Sequence, residues 1–180
     1  MDSAWIATNQ PLMYLNRKSL NVFDRVAIFD RDGTLSHDSG YESDPNKLSL
    51  LPGVVETVEF LKLNQIEFAV VTNQSGIARG KFTKEEMEWF NLKLSEQLLD
   101  RSRYTFSYLL ACPHSPHDRC ICRKPSGYML REVKSNLPNA QYCFFGDKQT
   151  DIEAAVDAGI ESALVSPGDL LTKVKEWFES

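Results

Sequence analysis

Apolar residues fall into two kinds of segment that alternate along the chain. Short runs at 25–30 (RVAIFD), 67–73 (EFAVVTN), 104–112 (YTFSYLLAC), 141–147 (QYCFFGD) and 162–166 (SALVS) are rich in β-branched and aromatic residues. Such runs mark strands buried on both faces. Between them lie longer stretches with helical spacing, at 52–65, 83–101, 128–136, 150–160 and 169–178. The first places Val54, Val55, Val58 and Leu61 on one face. Thr83, with Glu86 three residues later, has the form of a capping box at the start of the second. Gly159 is placed to end the fourth in a left-handed conformation. Residues 36–51 and 112–127 are polar and turn-rich, and read as loops. Alternating strands and helices predict an α/β fold, a three-layer Rossmann-like parallel sheet with helices on both faces. The domain is expected over 25–180. Residues 1–24 show no clean periodicity and form an N-terminal arm of unassigned role.

Bulk properties narrow the picture. The 180 residues are enough for one compact domain with a full core. A net charge of −5 leaves no electrostatic footprint for nucleic acid. No apolar run approaches the roughly 20 residues of a membrane helix. The N-terminal residues lack the basic start, apolar stretch and small-residue cleavage site of a signal peptide. A cytoplasmic protein without nucleic-acid or membrane partners is expected, in which clustered cysteines bind metal rather than pair. No seam or extra apolar face stands out, so a monomer is expected.

The candidate chemistry lies at the strand ends. In parallel sheets ligands bind outside the carboxyl ends of the strands. The first strand ends at Asp30, with Asp32 two residues on. The second ends at Thr72–Asn73. The fourth ends at Gly146–Asp147, with Asp151 one helical turn further. Any one of these aspartates could be a turn former or a cap. Carboxylates brought together on one sheet edge repel each other unless a cation sits among them. Mg²⁺, a hard ion that takes oxygen ligands, is the default.

A second cluster is Cys112-x-His114-x5-Cys120-x-Cys122. Three cysteines and a histidine within eleven residues match a structural, tetrahedral Zn²⁺ site. His117 is a competing ligand. Cys143 lies inside an apolar strand and reads as core.

Taken in order, these motifs resemble those of the haloacid dehalogenase-like phosphohydrolases. D-x-D-G-T appears as Asp30-Arg31-Asp32-Gly33-Thr34, the strand-end Thr as Thr72, the Lys as Lys124 in CRKP, and the acidic pair as Asp147 and Asp151 in GDKQTD. The match spans roughly 25–166, with no room for a large cap domain. The resemblance implies that Asp30 attacks phosphorus and forms an aspartyl-phosphate, splitting one hard step into two. Asp32 would protonate the leaving oxygen and then deprotonate water. Mg²⁺ would be held by Asp30, the Asp32 main-chain carbonyl and Asp147, with Asp151 behind, orienting Lys148 or a metal-bound water. Thr72 and Lys124 would hold phosphoryl oxygens, with Gly33 allowing a tight turn and close approach to the phosphate.

The zinc loop running into CRKP resembles the branch with the heptose-bisphosphate and histidinol-phosphate phosphatases. Gly40-Tyr41 and VTNQSGIARGKFT (71–83) are similar to the heptose members. Ser39 stands where those usually have His, and the five-residue spacing between His114 and Cys120 is nearer the histidinol-phosphate form. The resemblance implies substrate contacts from Gly33, Thr34, Tyr41, Asn73, Gln74, Ser75, Arg123 and Lys148. It implies a small sugar phosphate as substrate, with the 7-phosphate of D-glycero-D-manno-heptose 1,7-bisphosphate favoured, in the supply of activated heptose for lipopolysaccharide or another surface glycan. Histidinol phosphate is the alternative, for which Glu42 and Asp44 would supply carboxylates to the amine. A non-catalytic phospho-ligand-binding domain and a phosphotransferase to alcohols also remain open.

Overall fold

The computed structural model describes residues 12–15, 23–38 and 40–180. Ser39 and most of the N-terminal arm lie outside the described residues. Among the described residues, six strands form one sheet: β1 (Leu12–Leu15), β2 (Arg25–Phe29), β3 (Glu67–Asn73), β4 (Tyr108–Cys112), β5 (Gln141–Gly146) and β6 (Glu161–Leu164). The same residues hold the α-helices α1 (Val54–Leu63), α2 (Lys84–Ser102), α3 (Tyr128–Asn136), α4 (Gln149–Ala158) and α5 (Leu170–Glu179). The sheet order is β1-β4-β3-β2-β5-β6, parallel from β4 to β6 and antiparallel only where β1 meets β4.

Strand residues alternate between two apolar layers, as the two-residue period requires. Ala27, Phe29, Phe68, Val70, Leu109, Ala111 and Phe145 face α1, α2 and α5. Val26, Ile28, Ala69, Val71, Leu110 and Phe144 face α3 and α4. The expected capping box is present, with Thr83 Oγ1 accepting from Glu86 N–H and Glu86 Oε2 from Thr83 N–H. Gly159 ends α4 at φ 63°.

Two differences from the sequence pattern stand out. The strand expected at 104–112 begins only at Tyr108. Arg103 ends α2 in a left-handed turn, and Tyr104 is fixed by its hydroxyl to the Ile66 carbonyl, so residues 104–107 lead in from the helix. Part of the arm, Leu12–Leu15, pairs with β4 at the sheet edge, and Leu12 packs in the core.

The chain steps outward from β2 to β3 to β4, then crosses back to β5 on the other side of β2. The reversal makes the carboxyl end of β2 the topological switch point, where such sheets bind ligands.

Candidate active site

Asp30 follows directly on β2 at this switch point. Its N–H donates to Phe145 O at 2.9 Å, continuing the β2–β5 pairing by one rung. Its side chain is buried, and Lys124 Nζ lies 2.6 Å from Asp30 Oδ1, although 94 residues separate them. The same ammonium lies 2.6 Å from Asp151 Oδ1 and donates to Val71 O at 3.1 Å. Burial pushes the Asp30 carboxyl up to about 7; Lys124 pulls against this, while Asp151 and Asp32 push further up. Burial disfavours the charge on Lys124, but Asp30 and Asp151 outweigh it and its pKa is raised. Asp147 is raised by burial, and its Oδ1 is buried with no hydrogen-bond partner. Single oxygens of Asp30, Asp147 and Asp151 lie within 4.8 Å of one another.

Asp32 sits on the turn after β2. Arg31 Nε and Nη2 reach its two oxygens at 2.8 and 2.9 Å. Gln74 Nε2 donates both to Asp32 Oδ2 and to Thr72 Oγ1, each at 2.8 Å. The cavity beside these groups holds about 390 Å³ and is lined by Asp30, Asp32, Thr72, Gln74, Arg123 and Lys124, among others. Tyr41, Asn73, Ser75 and Lys148 also border it.

Several of the expected site residues make contacts that the sequence pattern does not reveal. Asn73 lines the cavity, yet its carboxamide clamps the main chain of Lys124, donating to its carbonyl and accepting from its N–H, both at 3.1 Å. Thr34 is buried away from the cavity lining, its hydroxyl without a hydrogen-bond partner. Gly33, at φ 90°, makes room for a carboxylate: a Cβ there would lie 2.3 Å from Asp147 Oδ2. Asp151, expected to orient Lys148 or a bound water, accepts on Oδ2 from the Lys148 main-chain N–H at the start of α4, and its Oδ1 faces Lys124. The Lys148 ammonium meets Asp38 at 2.9 Å. Burial opposes the charge on Asp38, but Lys148 and the Gly40 N–H hold it below the usual carboxylate range.

Asp38, Phe82 and Thr150 line the cavity without having been singled out by sequence. Asp38 and Phe82 sit in loops whose path no local pattern reveals, and Thr150 sits in the first turn of α4. The one available signal was for Arg31, a cation set between two carboxylates in an apolar run.

The second cluster closes on itself beyond β4. The sulfurs of Cys112, Cys120 and Cys122 are 3.3, 3.6 and 3.8 Å apart, and His114 Nδ1 is 3.5 and 3.3 Å from Cys112 and Cys122. A tetrahedron with metal–sulfur bonds of 2.3 Å has edges of about 3.8 Å, close to these separations. His114 completes the group, and His117 is not among its members. Arg123 Nη1 donates to His114 O at 3.2 Å, tying the rim of the cavity to this loop.

Known proteins place the chain. An Escherichia coli D-glycero-β-D-manno-heptose-1,7-bisphosphate 7-phosphatase is 36% identical over 161 residues, covering 83% of this chain and 84% of the relative. The chain belongs to this phosphatase family. The HAD-hydrolase-like family model matches residues 121–175, a stretch that carries Lys124, Asp147 and Asp151. A Helicobacter pylori member of the family, with the same name, is 28% identical over 87% of this chain and 91% of its own. Among solved structures, D,D-heptose 1,7-bisphosphate phosphatase from B. bronchiseptica, complexed with magnesium and phosphate, superposes with a TM-score of 0.74. It is 30% identical, over 84% of this chain and 86% of its own.

Proposed function

We propose that the chain is a Mg²⁺-dependent phosphatase that removes the 7-phosphate of D-glycero-D-manno-heptose 1,7-bisphosphate through an aspartyl-phosphate on Asp30. The observation that carries this is the Asp30–Lys124–Asp151 cluster at the switch point, with the bare Asp147 Oδ1 beside it. A buried carboxylate oxygen with no donor calls for a cation, and an all-oxygen set suits Mg²⁺. Asp30, Asp147 and the Asp32 carbonyl would hold the ion, with Asp151 behind. When bound, Mg²⁺ offsets the repulsion between the carboxylate and the phosphate dianion.

The chain's own groups account for the rest. Asp30 attacks phosphorus, and the P–O bond to the sugar breaks. Asp32 gives a proton to the departing sugar oxygen, then takes one from the water that cleaves the acyl phosphate. The Lys124 ammonium and the Thr72 hydroxyl hold phosphoryl oxygens where charge develops. Cys112, His114, Cys120 and Cys122 would hold Zn²⁺, which would order the loop that carries Arg123 and Lys124.

Support for a bisphosphate over histidinol phosphate comes from the cavity wall. Among the described residues, each lining carboxylate already has a cation: Asp30 and Asp151 have Lys124, Asp32 has Arg31, and Asp38 has Lys148. Glu42 and Asp44 turn to their own loop, where Glu42 accepts from the Ser43 and Asp44 N–H groups and Asp44 from that of Asn46. None of these lining or loop carboxylates is left for an amine, while the Arg123 guanidinium stands at the wall for a second phosphate.

The test is Mg²⁺-dependent phosphate release from both anomers of heptose 1,7-bisphosphate, histidinol phosphate and simple sugar phosphates. One heptose anomer should exceed every non-heptose substrate by more than about tenfold in kcat/KM, and Asp30→Asn should abolish turnover while the fold persists. A preference for histidinol phosphate, or ligand binding without turnover, would reject the assignment.

A further inference from the structure

Arg31 is large, charged and 1% exposed, a costly placement for a guanidinium unless each face is engaged. Each is. Nε and Nη2 form a fork on Asp32, and Nη1 donates to Asn91 Oδ1 at 2.7 Å. The flat face lies 4.6 Å from the centroid of the Phe90 ring. Neighbouring residues in an extended strand point to opposite sides, so this fork needs the chain to turn at once. The turn is visible in the N–H groups of Leu35 and Ser36, which both donate to Arg31 O at 2.9 Å.

Neutralising Asp32 would need only one contact. The arrangement does more. Asp32 remains 21% exposed toward the cavity, while the arginine behind it is fixed from α2 by Asn91 and Phe90. Asn91 is buried and is itself held by an Nδ2 contact to Met87 Sδ at 2.9 Å. Helix α2 begins where the loop carrying Gln74, Ser75 and Phe82 ends, and that loop forms one wall of the cavity. The path from wall to carboxylate is thus continuous through packed side chains.

We propose that Arg31, anchored by Asn91, is a positioning residue that fixes the Asp32 carboxylate in the orientation from which it serves the leaving oxygen. The proposal rests on the reading of Asp32 as proton carrier. It needs no contact between Arg31 and substrate.

Substrates with different leaving groups test it. A sugar alkoxide needs a proton as it departs, whereas p-nitrophenolate leaves without one, so a misaimed donor slows leaving-group release from the first and spares release from the second; hydrolysis of the aspartyl-phosphate, which also uses Asp32, is common to both and is kept out by reading the first turnover. With Mg²⁺-loaded enzyme, Arg31→Lys should lower the first-turnover rate on heptose bisphosphate roughly ten- to a hundredfold. KM should stay within about twofold, and the first-turnover rate of p-nitrophenolate release within about threefold. Equal losses on both substrates, or none, would overturn the proposal. If Arg31→Lys does not fold, Asn91→Leu takes its place, with a smaller split in the same direction expected and a uniform loss counting against it. Asp32→Asn, run in parallel, separates the two ideas. If it shows the split and the arginine variant does not, the positioning role falls alone. If Asp32→Asn shows no split, the proton-carrier reading falls and takes the positioning role with it.

Discussion

Asp30 is a carboxylate that holds its proton more tightly than usual, because burial outweighs the Lys124 ammonium beside it. Its folded pKa, pushed up to about 7, lies above the unfolded value of 3.8. A group of this sign contributes stability that is full below the unfolded value and is lost as pH rises through the folded one. Asp147 shifts in the same direction. Mg²⁺ competes with those protons, so its stabilising effect should grow with pH. Thermal melts between about pH 5 and pH 7.5, with chelator and with Mg²⁺, should show a widening gap in midpoint. A gap independent of pH would remove these carboxylates from the ion site. The residues that converge here were legible because strand-end chemistry is a local signal: Asp30, Thr72 and Asp147 each close an apolar run. What Asn73 and Thr34 do was not legible. A carboxamide at a strand end serves ligand or backbone equally well, and only the arrival of Lys124 from 51 residues away decides between them.

At the scale of elements, the helices of 128–136 and 83–101 could be read closely because each has a one-sided apolar face and clear ends. Strand β1 could not, since four residues, LMYL, carry too little periodicity to stand out from a coil. Nor could the start of β4, where Tyr104 and Phe106 look like strand residues but follow directly on the end of α2. One contact between elements controls the second apolar layer. Gly127, just before α3, lies against α4 so closely that a Cβ would sit 2.7 Å from Ala158 N and 2.8 Å from Ala154 O. Backbone cannot yield there as a flexible side chain can. Gly127→Ala should therefore cost about 1–3 kcal/mol, read as a lower urea midpoint. An unchanged midpoint would show that α3 and α4 can slide apart freely.

For the whole molecule, the sheet supplies Asp30 and the segment after β4 supplies the ammonium of Lys124 beside it. Zinc is the expected link. Protein purified without chelator should carry about one equivalent of zinc, which Cys122→Ser should remove along with part of the thermal stability. Cys143→Ser, in the core of β5, should leave the zinc content unchanged. Absence of zinc from the unaltered protein would reject the site. The Asn73 clamp has a consequence for how such a molecule can change. It grips Lys124 by its main chain, as a neighbouring strand would, and Cys112 is fixed by its pairing in β4. The segment between these anchors is a handle with both ends bolted. The free energy of closing a loop grows only with the logarithm of its length, so residues can be added or lost between His114 and Cys120 at small cost. The short five-residue spacing is then a variation in the handle that leaves the ammonium where it stands. Insertion and deletion can reshape the substrate rim while the reacting centre is insulated from them.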